Sequence, residues 1–374
     1  MKKIKVCHLA SGYLRDNPRI FYRQCLSLKK NDYSVSLLLN DGIKEQIIND
    51  IKIKSTNKKF NNRILDILLC TFIFFGPSVK EKADIYQLHS PELIPLGLLL
   101  KLLGKSVTYD AHEDMESHIL EKKTIPFFLR NFISKVFTLF MNLALRFFDG
   151  VITPHNHVLD KLIKINPNSK LVTNFPLSNI DITHSYEDYV KRGDIVCYSG
   201  TVYPHSQQSE IIKAVIDHPR AQYHVAGFIP EEMKNKYRKI SDLKKFKFHG
   251  LMPSNKLIEF YNYCSLGVCI FPYMGNLGGK QGTYAVNKLF EYMEAGLPVV
   301  CSDYSLWKDI IDKYKCGLYV DPYSLPQIKN AISFILDNKD EAYLMGLNAR
   351  KAIEKEFNWN ISEKEYLSSF NFLN

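Results

Sequence analysis

Several common markers are missing from this chain. Its eight cysteines (Cys7, Cys25, Cys70, Cys197, Cys264, Cys269, Cys301 and Cys316) include no C-x-x-C pair, and several lie in apolar strand-like runs. That spacing argues against zinc fingers and for buried, reduced thiols of a cytosolic protein. No apolar run reaches the ~18–20 residues needed to cross a bilayer. The longest, Ile67 to Phe75, contains Thr71 and stops at Gly76-Pro77. Met1-Lys2-Lys3 leads directly into Ile4-Lys5-Val6-Cys7-His8-Leu9-Ala10, with no apolar stretch of signal-peptide form. Short repeats and low-complexity tracts are absent. So are an RNP-like motif and a long basic tail, which removes nucleic acid from the expected partners. One absence is local: no Asp or Glu occurs between Thr124 and Phe148.

The 374 residues allow two domains, and a hydrophobic share of 46% fits a globular chain with a well-buried core. The net charge of +10 points to an anionic partner, a nucleotide or an acidic membrane surface. Strand-like runs at 3–9, 34–39, 85–88, 106–109, 150–153 and 170–173 alternate with helical patterns such as 19–30 and 91–103. A second alternating set follows at 194–199, 222–226, 245–249, 266–270, 298–301 and 317–320. This is the pattern of βαβ units with parallel sheets. The polar, aperiodic segment 176–193 reads as the linker. The expected fold is α/β, two Rossmann-like doubly wound domains, 1–178 and 190–356, facing each other across a ligand cleft. Residues 124–148 read as an amphipathic helix opened by Thr124 and Pro126. Its polar residues Arg130, Asn131, Ser134, Lys135, Thr138, Asn142 and Arg146 fall in an arc of about 160°. Such a cationic, aromatic-rich helix either packs on a sheet or lies on an anionic membrane surface.

Polar residues collect where strands end. Asp16, Asn17 and Arg19 follow the first strand, with Asp16 or Asn17 able to cap the next helix. His89 follows a later strand, Asp110 and His112 the next, and His155 another. Together they would line a cleft rim. A metal site at 110–114 is not expected, because these neighbours do not project together from one element. In the second half, Gly200 and Thr201 follow a strand, and Gly278-Gly279-Lys280-Gln281-Gly282-Thr283 precedes a helix. Glycines before a helix N-terminus make an anion site. That helix, over Asn287 to Glu294, ends at Gly296, and Pro298 forbids its continuation. At about 100° per residue, Tyr284, Asn287, Lys288, Glu291 and Ala295 share one face. Such a face could hold a phosphate and a sugar hydroxyl, or could be an ordinary solvent face.

In order and spacing these motifs resemble glycosyltransferase family 4, the retaining, nucleotide-sugar-dependent enzymes of GT-B fold, in its bacterial surface-polysaccharide form. Val6-Cys7-His8-Leu9 through Arg19-Ile20-Phe21, Ala83 to Leu93 and Tyr109-Asp110-Ala111-His112-Glu113-Asp114 are similar to motifs of its first domain. Asn287 to Val300 looks like its donor-binding helix and following strand. Phe357-Asn358-Trp359 looks like the start of its terminal helix, so 357–374 is expected to return to the first domain. The resemblance implies that Glu291 binds the nucleotide ribose, that Val286 and Asn287 offer amides to the diphosphate, and that Leu251 and Met252, after Gly250, hold the base. It also implies that His112 contacts the donor sugar at the reacting carbon, that the donor is a UDP-sugar, and that no metal or other cofactor is needed. Three positions depart from the pattern. Thr283 stands where the sugar-binding glutamate belongs, Thr201 where an arginine does, and His205 or Ser206 where its partner lysine does. Lys288 or Lys280 would then face the diphosphate. The implied function is hexosyl transfer to a glycan or lipid-linked acceptor, in the cytoplasm and peripheral to the inner membrane face. Alternatives on the same architecture are a nucleotide-sugar 2-epimerase and a non-catalytic GT-B scaffold.

Overall fold

The computed structural model describes residues 3–56, 63–122, 124–177, 185–203, 206–240 and 244–373. In chain order its first elements are β1 (Lys5–Ala10), α1 (Leu26–Lys30), β2 (Ser34–Leu39), β3 (Gln46–Ile48), β4 (Ile51–Ser55), α2 (Arg63–Glu81) and β5 (Ile85–Leu88). Then come α3 (Ile94–Leu102), β6 (Ser106–Asp110), α4 (Met115–Glu121), α5 (Phe127–Leu145), β7 (Gly150–Thr153), α6 (Asn156–Leu162) and β8 (Ser169–Leu171). The second series is α7 (Tyr186–Val190), β9 (Ile195–Ser199), α8 (Gln208–Asp217), β10 (Gln222–Ala226), α9 (Glu231–Ile240), β11 (Phe246–Gly250) and α10 (Ser254–Asn262). It continues through β12 (Leu266–Cys269), α11 (Asn287–Glu294), β13 (Val299–Ser302), α12 (Ser305–Tyr314), β14 (Gly317–Val320), α13 (Leu325–Asp337), α14 (Lys339–Lys355) and α15 (Trp359–Ser368).

The chain forms two compact units, 1–174 with 359–374, and 175–358. Unit 1 holds an eight-stranded sheet in the order β3-β4-β2-β1-β5-β6-β7-β8, parallel except for β3. Val6 lies beside Val35 on one side and Ile85 on the other. Right-handed crossovers place α2, α3, α5 and α6 on one face. There Phe74, Leu96, Leu100, Met141 and Leu145 pack against Cys7, Leu9, Tyr86, Leu88 and Val107. On the opposite face, α15 returns to the sheet. Trp359 Nε1 donates to Ser27 Oγ (2.9 Å), and Tyr366 Oη donates to Gln87 Oε1 (2.8 Å).

Two features of unit 1 differ from the sequence reading. The β3–β4 hairpin was not anticipated; its turn residues Asn49 and Asp50 both have positive φ, as a two-residue primed turn requires. The helix expected over 19–30 opens instead as a π-helical stretch, Pro18–Cys25, capped by the Asn17 side chain, which accepts from the Arg19 and Ile20 amides.

Unit 2 holds a six-stranded parallel sheet, β11-β10-β9-β12-β13-β14. Its core gathers Tyr198, Tyr223, Phe290, Tyr292 and Trp307, all essentially without exposure. The strand order reverses between β9 and β12, and between β1 and β5 in unit 1. The carboxyl ends of these strands are where such sheets take ligands. All eight cysteines are free and buried.

Candidate active site

In unit 2, three glycines stand side by side where β9, β10 and β11 end. The Gly200 amide donates to Ala226 O, and the Gly227 amide to Gly250 O, each at 2.7 Å. Gly200 (φ +106°) and Gly227 (φ +144°) have backbones that side chains rarely adopt. A Cβ on Gly227 would lie 2.0 Å from Gly200 O. The rim is therefore bare backbone, and Lys288 of α11 fills the space above it. A Cβ on Gly200 would sit 2.9 Å from Lys288 Nζ. The ammonium lies 5.1 Å over the Tyr198 ring and 5.8 Å from that of Phe271. Burial lowers its pKa, against the opposing pull of Cys269 and Glu291. No ion pair among the described residues includes it.

One turn on, Glu291 is half-buried. The Tyr261 hydroxyl lies 3.2 Å from Glu291 Oε2 and 2.8 Å from Ser199 Oγ. The Ser199 amide donates to Tyr292 Oη at 2.9 Å. The single Tyr261 hydroxyl proton is thus within reach of Ser199 Oγ and of Glu291 Oε2, and Tyr261 flanks the carboxylate from one side. Tyr261 and Ser199 escaped the sequence reading, although Ser199 directly precedes Gly200. The α11 amides open onto the same end without a side-chain cap at Val286. Asn287 is exposed, Val286 and Thr201 half-buried, Leu251 exposed and Met252 half-buried against the core. The arrangement offers a cation, a carboxylate and a helix N-terminus, a set suited to a phosphate with vicinal hydroxyls.

Thr283, expected among the donor-binding residues, is fully buried. Its Oγ1 accepts from the Ala285 amide (3.1 Å), and its carbonyl accepts from Trp307 Nε1 (3.0 Å). The reason is local: α11 begins at Asn287, so Thr283 and Tyr284 belong to the preceding loop and not to the helix face. That loop is pinned, since Ser305 and Leu306 amides donate to Lys280 and Gln281 carbonyls. Lys280 itself is exposed, 5.3 Å over the Tyr273 ring. His205 lies outside the described residues, and Ser206 is buried with its Oγ donating to Tyr203 O.

In unit 1 a buried charge network closes the carboxyl ends of β1, β5 and β6. Asp110 receives Arg19 through two contacts, Nε–Oδ2 2.8 Å and Nη2–Oδ1 2.7 Å, and Gln24 Nε2 at 2.6 Å. The π-helical turn makes this possible, because its i→i+5 closure brings residues 19 and 24 onto one face. Arg19 also donates to Val172 O (2.7 Å) and Asn174 Oδ1 (2.6 Å). Burial would raise the Asp110 pKa, but Arg19, His112 and His89 overcome it and hold the carboxyl well below the usual range. His89 Nδ1 lies 3.4 Å from Asp110 Oδ2 and 3.2 Å from His112 Nε2; its Nε2 is 2.8 Å from His8 Nδ1. Burial drives His89 down to about 4, only partly offset by Asp110.

Arg19, His89 and Asp110 were expected on a cleft rim; they are interior, with Asp110 holding both of the others. His112 alone of this set keeps some exposure (15% of its side chain), with the Tyr13 ring 5.1 Å away. Asp16 is exposed, and Asn17 serves as the cap. His89, Asp110 and His112 place ligand-type atoms within 4.8 Å of one another. The set does not suit a cation: Arg19 already sets a fixed positive charge on the carboxylate. Beneath α5 a small cavity of about 80 Å³ opens between α4 and α6, walled by Tyr109, Phe137, Met141 and Leu162 and edged by Asp114 and Lys161.

The two doubly wound parallel-sheet units define the GT-B fold of glycosyltransferases. Residues 184–352 match the family described as Glycosyl transferases group 1. The chain is 26% identical over 193 residues to an uncharacterized glycosyltransferase of Methanocaldococcus jannaschii, an alignment covering 47% of this chain and 44% of that protein. The chain thus spans under half the length of that relative. Among solved structures it is similar to sucrose-phosphate synthase of Thermosynechococcus elongatus (TM-score 0.77, 12% identity, 99% of both chains). It is also similar to Anabaena HepE in complex with UDP and glucose (0.72, 14%, 98% of this chain and 99% of that one). A third is a glycosyltransferase from Rickettsia africae (0.72, 14%, all of both chains). The matched domain and fold are those of a glycosyltransferase enzyme.

Proposed function

We propose that this chain transfers a hexosyl group from a nucleotide sugar to a glycan or lipid-linked acceptor, in the synthesis of cell-surface polysaccharide or glycoconjugate. The observation that carries the reading is the Gly200–Gly227–Gly250 rim with Lys288 above it and Glu291 one helical turn away. Bare backbone lets a phosphate approach, Lys288 and the α11 amides balance its charge, and Glu291 accepts the two ribose hydroxyl protons. Leu251 and Met252 would flank the base, with UDP as the nucleotide. HepE, of the same fold, was solved with UDP and glucose, which supports this donor class.

His112 would meet the donor sugar. His89 and Asp110 behind it fix its ring, and a hydrogen bond from an imidazole to a sugar hydroxyl steadies the oxocarbenium-like transition state. Transfer would proceed with retention, the acceptor hydroxyl attacking the anomeric carbon on the face from which the diphosphate leaves and passing its proton to a phosphate oxygen of that leaving group. Lys288, the α11 amides and the helix dipole are placed to neutralise that leaving group, with no metal or other cofactor in the scheme. The enzyme would work in the cytoplasm, on the inner face of the membrane.

The test is a nucleotide-sugar panel scored by calorimetry and by slow donor hydrolysis. At least one UDP-sugar should bind wild type, and Glu291→Ala should weaken it by about 2 kcal/mol, the scale for charge-assisted hydrogen bonds. A chain that binds no nucleotide sugar would overturn the reading, and an inverted anomeric centre in the product would overturn retention.

A further inference from the structure

Helix α5 is apolar on both of its faces. It turns Ser134, Met141, Ala144 and Leu145 inward and half-buries Thr138 and Asn142. Much of the polar arc read from the sequence therefore faces the protein. Facing away is an apolar stripe, Phe128, Phe132, Val136, Leu139, Leu143 and, just beyond the helix, Phe147, all exposed. Phe128 and Phe132 are 78% and 67% exposed. Helix α2 repeats the pattern: Leu65, Leu68, Phe72, Phe75 and Val79 recur at helical spacing and are exposed, Phe72 by 77%. Between these helices, in contact with both, α3 adds Leu99, Leu102 and then Leu103, with Leu102 84% exposed. A soluble protein seldom leaves adjoining helices with large outward apolar stripes.

We propose that the outer faces of α2, α3 and α5 form one continuous docking surface for an anionic lipid bilayer, lying in its headgroup–acyl boundary. Charge selects this occupant. Lys135 and Arg146 are exposed, in no ion pair among the described residues, and no carboxylate occurs from Lys122 to Phe148. Lys80 and Lys82 close α2 and are exposed. Long cationic side chains at the edge of an apolar face reach anionic headgroups while their stems stay in the boundary. A second copy of the chain would instead set these cations against one another across a two-fold axis. Helix α5 is long enough to cross a membrane, but Met141 and Leu145 are part of the unit 1 core, so it lies on the bilayer rather than through it. This deepens the membrane placement proposed above, extends it from one helix to three, and is independent of the transfer reaction.

The experiment is co-sedimentation of the full chain with phosphatidylcholine vesicles, with and without phosphatidylglycerol. Wild type should bind the anionic vesicles. Phe72→Glu on α2 and Phe132→Glu on α5 should each weaken partitioning by about tenfold or more, with far-UV circular dichroism unchanged. Lys135→Glu with Arg146→Glu should remove the preference for phosphatidylglycerol. Phe72→Glu binding like wild type would overturn the three-helix surface. Failure of wild type to bind, or a dimer dispersed by the same substitutions without vesicle binding, would overturn the bilayer as occupant. Vesicle binding by a chain that transfers no sugar would support docking and count only against the reaction.

Discussion

At the scale of single residues, Lys288 and Gly200 are a matched pair. The lysine occupies the space that a side chain at position 200 would need. Lys288→Ala should lower nucleotide-sugar affinity about tenfold or more by removing a charge-assisted contact, and calorimetry will read it. Gly200→Ala should damage the same binding by displacing the ammonium. His89 makes a pH prediction. Its folded pKa is depressed from 6.5 to about 4, so the unfolded chain binds the extra proton. Stability is full above pH 6.5 and falls as pH drops toward 4, by about 3 kcal/mol for this group at 1.36 kcal/mol per unit. Urea midpoints across that window should drop less in His89→Gln than in wild type. Asp110 acts lower: its pKa is depressed, so its contribution is present above the ordinary carboxylate pKa and is lost only as pH falls below it.

At the scale of elements, the π-helical turn and the glycine rim shape the two strand-end clusters. Gln24 reaches both Asp110 and, through Gln87 Nε2 at 2.9 Å from its Oε1, the centre of the sheet. Gln24→Leu should cost about 1–3 kcal/mol in chemical denaturation, the penalty for buried polar groups left unmatched. Gly227→Ala should be worse, because both φ and the 2.0 Å approach to Gly200 O oppose it. Loss of soluble protein or a fall of several degrees in Tm is the expected readout.

Most strands were legible in the sequence because runs such as Ser34–Leu39, Ile85–Leu88 and Gln222–Ala226 are short, apolar and bounded by polar ends. The β3–β4 hairpin was not: Ile51-Lys52-Ile53-Lys54 alternates cleanly, but its partner β3 is only three residues long and wholly exposed at the sheet edge, so no buried face marks it. Glu291 and Lys288 were legible as a helix face. Thr283 was placed by the resemblance, at the position of the family's sugar-binding glutamate, and its burial reflects the loop that precedes α11, which neither motif spacing nor periodicity reveals. The Asp110 network was legible only in part, since Arg19 lies 91 residues away in sequence and Gln24 falls off the face of an ordinary α-helix.

At the scale of the molecule, unit 1 is built from two stretches of chain. Trp359 and Tyr366 are buried in it, and the Thr173 and Ser362 hydroxyls meet at 2.5 Å. Ending the chain at Asn358 should therefore destabilise unit 1 by more than about 3–5 kcal/mol, the cost of emptying one large aromatic site. Limited proteolysis should then cut within 1–174 while 175–358 persists. The discontinuity also orders events during synthesis. Residues 1–174 leave the ribosome first but lack their closing helix, whereas 175–358 emerges as a continuous segment able to fold at once. The first half of the charge network and the apolar faces of α2 and α5 thus exist for a time on a unit still missing Trp359. That interval is when nascent chains would be most exposed to chaperones.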